Sequence, residues 1–171
     1  FYETFGDFGF TMRARMETLR VYGAALSPMS AWLILQGVET LPLRMERHSR
    51  NALDVARFLQ DHPRVSWVNY PGLPDHPQHA LLGKQMRALD GAPMASGLLS
   101  FGVQGGAPAG VKFIEGAQFM SHLVNIGDTR TLIIPVAPTI FWEAGAAARA
   151  EMGIADGLLR LSVGLENAQD L

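Results

Sequence analysis

The sequence predicts an α/β fold, on the border of α+β, in which helices cover a small sheet. Segments with the helical spacing of apolar residues alternate along the chain with short apolar segments that repeat every two residues, as strands do. The 171 residues, 48% of them hydrophobic, are enough to bury a core, and no linker divides them. Strand order stays open, and antiparallel pairs are allowed.

The first segment with helical spacing runs from Asp7 to Tyr22. Met12, Met16 and Leu19 fall on one helical face among charged residues. We expect Gly23, which follows directly, to end this helix.

A longer helical region begins at Ser27-Pro28, where a serine can cap the first free amides and proline is tolerated in the first turn. Residues 32–38 are mostly apolar and predict a largely buried first half. Pro42 must kink or divide the region, because it removes an amide donor and clashes one turn back. The second half carries an apolar stripe formed by Ala52, Val55, Ala56 and Leu59.

After residue 63 the apolar period changes, and four strands are predicted. They cover residues 65–70, 97–103, 132–134 and 158–163. In the last strand, alternation predicts one apolar face and one polar face. The apolar face holds Leu159, Leu161 and Val163, and the polar face holds Arg160 and Ser162.

Two helical stretches separate these strands. A polar stretch reaches to about Leu89, and a helix is predicted over 108–120. The apolar positions of the second helix predict that Val111, Ile114 and Phe119 turn inward.

Composition excludes several classes of function. The net charge of −2 is spread without blocks of like charge, which argues against nucleic acid or a membrane surface as partner. The chain has no cysteine and hence no disulfide, thiolate nucleophile or cysteine-based zinc site, which fits a cytoplasmic protein. Apolar runs are too short for a membrane helix, and no leader is present, so we expect a soluble protein. The histidines nearest each other, His76 and His79, lie in a polar, proline-rich stretch, and no metal site is predicted.

Arg160 is the candidate functional residue that the pattern itself indicates. An arginine within a strand otherwise made of leucine, serine and valine needs an anionic partner, because burying an unpaired guanidinium is costly. Its planar fork matches a carboxylate or phosphate with two parallel hydrogen bonds. The alternatives are a structural ion pair with Asp128 or Glu166, or projection into solvent.

The N-terminus is unusually aromatic, with five aromatic residues among the first ten. Such a segment exposes a large apolar surface unless it packs on something. We therefore expect that the chain is cut from a longer one; the alternative is that these aromatic residues pack in the core of this domain itself.

Six sequence phrases, taken in order, form a recognisable set. They are ETFGDFGFTMRARMETLRVYGAALSP (3–28), LQGVETLPLRMERH (35–48), WVNYPGLPDHP (67–77), LLSFGV (98–103), SHLVNIGD (121–128) and LLRLSVGLE (158–166). Together they resemble the family of pyridoxal phosphate (PLP) enzymes of cysteine and methionine metabolism that includes O-acetylhomoserine sulfhydrylase, cystathionine γ-synthase and methionine γ-lyase. ETFGDFGF and the asparagine of LVNIGD look more like the sulfhydrylase branch than the lyase branch.

The resemblance implies a type I PLP-dependent transferase fold, of which this chain is the small C-terminal domain. Residues 1–60 are then a helical segment that links to an absent large PLP domain, and residues 61–171 are an α/β domain that closes over the substrate. The family's cofactor-binding groups would all lie upstream of Phe1. Neither Lys84 nor Lys112 resembles the lysine that holds the cofactor. We therefore expect no catalytic and no cofactor-binding residue in this chain, and no activity from the chain alone.

The resemblance also implies substrate-binding residues. Arg160 stands at the position of the family arginine that binds the α-carboxylate of the amino-acid substrate, and Asn125 stands where a second contact to that carboxylate is made. The segment 135–141 departs from the family's usual text, since two prolines occur there while Thr139 is retained. We expect Thr139 to line the substrate mouth.

The function implied is γ-replacement on O-acetyl-L-homoserine with sulfide or methanethiol, a reaction of methionine biosynthesis and transsulfuration. The alternatives are a γ-lyase or cystathionine γ-synthase activity, and a non-catalytic folding or association module. The partners implied are a small amino-acid substrate, the upstream large domain and further copies of the chain in a homotetramer.

Overall fold

The computed structural model describes all 171 residues, which form two compact units, Phe1–Thr40 and Leu41–Leu171. The units therefore divide the chain earlier than the end of the helical segment 1–60. Residues 41–60 lie in the second unit, because their helix packs on the sheet of that unit.

The N-terminal unit is entirely helical. The run from residue 2 to 22 contains α1 (Tyr2–Phe5), a 3₁₀ turn, α2 (Gly9–Arg13), a π-helical turn and α3 (Arg20–Tyr22). Gly23 ends this run with φ +64°, a left-handed conformation that glycine adopts without strain, as the sequence predicts. After it, α4 (Pro28–Glu39) begins at the predicted cap, where Ser27 Oγ accepts a hydrogen bond of 3.1 Å from the Ser30 amide.

The apolar residues of α4 are exposed, so the prediction of a buried first half is wrong for this chain. No residue of α4 is buried, and Trp32 and Leu35 are 55% and 61% exposed. Spacing along a helix identifies apolar side chains, but burial requires another element that covers them.

The second unit begins with α5 (Leu41–Asp61), which carries Pro42 in its first turn. Pro42 thus separates α4 from α5, as predicted. The expected stripe on α5 is buried, since Ala52 and Ala56 are fully inaccessible and Val55 and Leu59 are each 8% exposed.

The second unit contains a five-stranded sheet in the order β1-β2-β5-β4-β3. All neighbouring strands are antiparallel except β3 and β4, which are parallel. The strands are β1 (Val65–Asn69), β2 (Leu98–Val103), β3 (Ser121–His122), β4 (Leu132–Pro135) and β5 (Leu158–Ser162), and the helices that follow α5 are α6 (His79–Gln85), α7 (Gly106–Gly116) and α8 (Ala146–Glu151).

One face of the sheet forms the core, against which α5 and α7 pack. The side chains of β5 that point to this face, Leu159 and Leu161, are each 1% exposed, and Phe101 of β2 lies beside them at the same exposure. The α/β prediction with helices on a small sheet is therefore confirmed. Arg160 and Ser162 lie on the opposite face, as alternation requires.

Two predictions within the second unit are wrong. Helix α7 ends at Gly116, so Phe119 lies beyond it and is 56% exposed, and Val111 is 40% exposed. Ile114 is buried as predicted. The two-residue strand β3 and the short helix α8 are not predicted, because each is too short to show a period.

Buried polar side chains of α5 hold the chain segment that follows β5. The Nδ1 atom of His48 lies 2.6 Å from the Val163 carbonyl oxygen, and because a carbonyl only accepts, Nδ1 carries the proton. The amide of Asn51 donates to the carbonyl oxygens of Gly164 and Glu166 at 3.0 and 2.7 Å. These bonds fix the end of β5 and hence the position of the residues on its other face.

None of the helices combines the length and apolar character that a membrane crossing requires.

Candidate functional site

Arg160 lies on the face of the sheet opposite to α5 and α7. It pairs in register with Ser100 of β2 on one side and with Ile134 of β4 on the other. Its Nη2 atom donates one long hydrogen bond, 3.4 Å, to the backbone oxygen of Asn125. None of the four ion pairs of the structure involves Arg160.

The two acids proposed as structural partners of Arg160 are engaged elsewhere, so that alternative is wrong. Asp128 accepts from the amide of Arg130 at 2.9 Å and lies 3.5 Å from its guanidinium. These contacts, with the Arg130 backbone amide contributing most, hold the pKa of Asp128 below its usual value. Glu166 accepts from the amide and the hydroxyl of Thr131 at 2.6 and 2.9 Å.

Arg160 is also only partly exposed, so simple projection into solvent does not describe it. Burial lowers the pKa of Arg160, because desolvation disfavours the charged guanidinium and no counter-charge offsets it. A half-buried cation with no acidic partner is the arrangement expected of a site built to receive an anion. An exogenous carboxylate would supply the missing charge.

The loop from Asn125 to Asp128 approaches this cation. The Oδ1 atom of Asn125 accepts from the amide of Ile126 at 2.9 Å, and the Nδ2 group of this exposed side chain makes no hydrogen bond within the protein. Gly127 has φ +76° and donates its amide to Ser162 Oγ at 3.2 Å. The structure thus brings Asn125 and Arg160 together, although they are 35 residues apart in sequence.

Thr139 is not joined to these two residues by any hydrogen bond. Its hydroxyl donates to the backbone oxygen of Pro135 at 2.5 Å, with the Val136 oxygen 3.4 Å away, and so closes the turn that follows β4. Pro135 pairs with Leu159, the residue before Arg160. A role for Thr139 in substrate binding therefore stays a prediction.

Ser162 is a residue of this site that sequence reasoning missed. Its hydroxyl lacks any nucleophile context, but it lies two residues after Arg160 and hence on the same face of the strand. That spacing is the signal by which it could have been found. Its hydrogen bond with the Gly127 amide attaches the loop from Asn125 to Asp128 to β5.

A cavity of about 580 Å³ in the second unit lies elsewhere. It is lined by Pro135, Pro138 and Trp142, by the ion pair of Arg149 with Asp156, and by Leu159, which points to the core face. Since strand neighbours point to opposite faces, this cavity does not contain Arg160. The unpaired cation, and not the size of a cavity, therefore identifies the candidate site.

No group of three or more histidine or acidic side chains is placed to hold a metal ion. His76 and His79 have separate partners, with His76 Nε2 2.8 Å from Asn69 Oδ1 and His79 Nδ1 2.9 Å from the Pro71 oxygen.

Comparison with known proteins gives a consistent result. The family model described as Cys/Met metabolism PLP-dependent enzyme matches residues 7–171. The chain is 45% identical, over 99% of its length, to O-acetyl-L-homoserine sulfhydrylase 1 of Thermus thermophilus, of which it covers 39%. It is 46% identical, over 87% of its length, to the L-methionine gamma-lyase of Porphyromonas gingivalis, of which it covers 36%.

A solved structure is also similar. The putative O-acetylhomoserine (thiol)-lyase of Campylobacter jejuni superposes with a TM-score of 0.84 at 40% identity, over 94% of this chain and 37% of the other. That protein contains a pyridoxyl-lysine 5′-monophosphate residue. The chain thus spans about two fifths of the length of the curated relatives that it matches.

Proposed function

The chain belongs to the Cys/Met metabolism PLP-dependent enzyme family, and we propose that it is the C-terminal part of an O-acetylhomoserine sulfhydrylase. The whole enzyme would replace the acetoxy group of O-acetyl-L-homoserine with sulfide, giving homocysteine and acetate, or with methanethiol, giving methionine and acetate. The observation that carries this proposal is the guanidinium of Arg160, which has no acidic partner and donates to the backbone oxygen of Asn125 in the adjacent loop.

In this proposal the chain supplies substrate recognition. The fork of Arg160 binds the α-carboxylate of the amino acid through two N–H groups, and Nδ2 of Asn125 donates a further bond to the same carboxylate. Two donors on separate elements fix both the position and the rotation of the carboxylate. The Cα–H bond of the substrate is thereby held in one orientation, which reduces the entropic cost of reaching the transition state.

Pyridoxal phosphate supplies the electron sink for the chemistry of this family. Lys84 on α6 and Lys112 on α7 are both exposed, and α7 packs on the sheet face opposite to Arg160. Their placement supports the proposal that the cofactor lysine lies outside this chain and that the chain alone is inactive.

The apolar surface of the N-terminal unit supports the proposed partners, which are an upstream large domain and further copies in a homotetramer. Tyr2, Phe10 and Tyr22 are between 75% and 86% exposed, and α4 adds further apolar side chains. Exposed apolar surface of this extent marks a contact with another protein surface. In the same proposal residues 1–60 link to the large domain, residues 61–171 close over the substrate, and the enzyme is cytoplasmic, as the absence of cysteine suggests.

The test uses the complete protein that carries this chain, loaded with pyridoxal phosphate. We expect homocysteine and acetate to form from O-acetyl-L-homoserine and sulfide. Arg160→Met should lower kcat/KM about 100-fold, the effect of losing charge-assisted hydrogen bonds to the carboxylate. Arg50→Met is the matched control, because Arg50 is exposed and pairs only with Glu46 on the surface of α5. If the unaltered protein forms no homocysteine, the assignment as a sulfhydrylase is wrong.

A γ-lyase is the second candidate, favoured by the 46% identity to a methionine γ-lyase; cystathionine γ-synthase is a related alternative. Release of α-ketobutyrate from methionine without added nucleophile would establish the lyase, and cystathionine formed with cysteine would establish the synthase. The exposed apolar surface also favours a folding or association module. Size-exclusion chromatography would support the module if this chain eluted as one monodisperse species and its elution did not change when the upstream half was added.

A further inference from the structure

Ser162 and Arg160 of β5 hold the same loop at two points. Ser162 is 3% exposed, and its Oγ accepts the amide of Gly127 at 3.2 Å. Two residues earlier on the same face, Arg160 donates to the backbone oxygen of Asn125 at 3.4 Å. The loop that contains Asn125 is therefore attached to β5, the strand that carries Arg160.

Of the two attachments, the hydrogen bond to Ser162 holds the loop more firmly. The Arg160 bond is at the outer limit of hydrogen-bond length and uses a group that the substrate carboxylate would compete for. The loop lies between β3, which ends at His122, and β4, which begins at Leu132, and its residues 123–127 are exposed. Burial of Ser162 keeps water from replacing the Gly127 amide, so this bond persists while the loop around it is solvated.

We infer that Ser162 is a positioning residue of the carboxylate site. By accepting the Gly127 amide it holds the Asn125 carboxamide beside the Arg160 guanidinium, so that both donors reach one carboxylate. This inference rests on the proposed function and extends it to a residue that touches no substrate. Ser162 contributes to affinity for the amino acid and takes no part in bond making or breaking.

The test compares three variants of the complete, PLP-loaded protein. Ser162→Ala removes the acceptor and should raise KM for O-acetyl-L-homoserine about tenfold with kcat changed less than about twofold, the pattern of lost uniform binding. Ser162→Thr keeps a hydroxyl in a residue suited to strands and should restore KM to within about threefold. Ser100→Ala is the control, because Ser100 pairs with Arg160 on the same face but makes no bond to the loop.

Hydrogen exchange of the Gly127 amide, followed by NMR, gives a readout besides activity. In the unaltered protein this amide should be protected, and Ser162→Ala should speed its exchange about tenfold while Ser100→Ala leaves it unchanged. If Ser162→Ala fails to fold, the exchange rate of the Gly127 amide in the unaltered protein tests the inference. A protected amide supports the inference, and an unprotected amide overturns it.

The two proposals fail in different ways. An unaltered protein without sulfhydrylase activity contradicts the proposed function, whatever the exchange of Gly127 shows. An active protein in which Ser162→Ala keeps its KM, or in which Ser100→Ala raises KM equally, contradicts the positioning role alone.

Discussion

The hydrogen bonds among Thr131, Gly164 and Glu166 should contribute strongly to stability. Thr131 is fully buried; its amide and hydroxyl donate to the two carboxylate oxygens of Glu166 at 2.6 and 2.9 Å, and its hydroxyl accepts the amide of Gly164 at 2.9 Å. These bonds join the start of β4 to the segment after β5, the strand that carries Arg160. Gly164 must be glycine, because a Cβ there would lie 2.6 Å from the carbonyl carbon of Arg130.

The cost of breaking these bonds follows from their number. Thr131→Val conserves shape but removes one bond to a carboxylate and leaves the buried Gly164 amide unpaired, which should lower the free energy of unfolding by about 3 kcal/mol. Glu166→Ala removes two charge-assisted bonds and should cost about 3 kcal/mol as well. Since one bond is shared, the double variant should cost about 4 kcal/mol, which leaves a coupling energy of about 2 kcal/mol.

Urea denaturation of the complete protein, followed by tryptophan fluorescence, measures these free energies. Thr139→Val is a control for the loss of a threonine hydroxyl from a turn outside this cluster. A coupling energy below about 0.5 kcal/mol would refute the reasoning, because it would mean that the Thr131 hydroxyl and the Glu166 carboxylate act independently.

Three further predictions concern the second unit. Tyr70→Phe should cost about 1–2 kcal/mol in urea denaturation, because the fully buried hydroxyl, whose pKa burial raises, donates its one proton to the Ser96 oxygen at 2.8 Å, with the Ser49 oxygen 3.2 Å away; an unchanged midpoint would contradict this. Arg130 lowers the pKa of Asp128, so the ionised Asp128 carboxylate should stabilise the fold above pH 3.8, and this stabilisation should be lost as the pH falls through the lower folded-state pKa. Asp128→Asn should remove this part of the dependence of stability on pH. A variant with the same pH dependence as the unaltered protein would contradict the prediction. Gly102→Ala places a Cβ against the indole ring of Trp67, so it should shift the tryptophan emission and cost about 1 kcal/mol, and an unshifted spectrum would contradict the contact.

Local chemistry made much of the fold predictable. The serine cap before α4, Gly23 after the first helical run, and the α5 stripe each depend on residues within one or two turns. Alternation in β5 likewise required only neighbouring residues to place Arg160 opposite Leu159 and Leu161.

Exposure of α4 was not predictable in the same way. A stretch such as residues 32–38 has the composition of a buried helix, but composition does not say which surface covers it. The inward placement of Phe119 failed for a related reason, since it required knowledge of where α7 ends. Val111 lies within α7 and is nevertheless 40% exposed, because helical spacing alone does not say which face is covered.

The sequence by itself determined the α/β class, the positions of four of the five strands, the family resemblance and the isolation of Arg160 within an apolar strand. Only the tertiary structure decided the strand order, the engagement of Asp128 and Glu166 by other residues, and the attachment of the Asn125 loop to Arg160 and Ser162. The physical reason is range: periodicity and caps arise from adjacent residues, whereas the surroundings of the half-buried Arg160 depend on other elements, such as the loop of Asn125, 35 residues away in sequence.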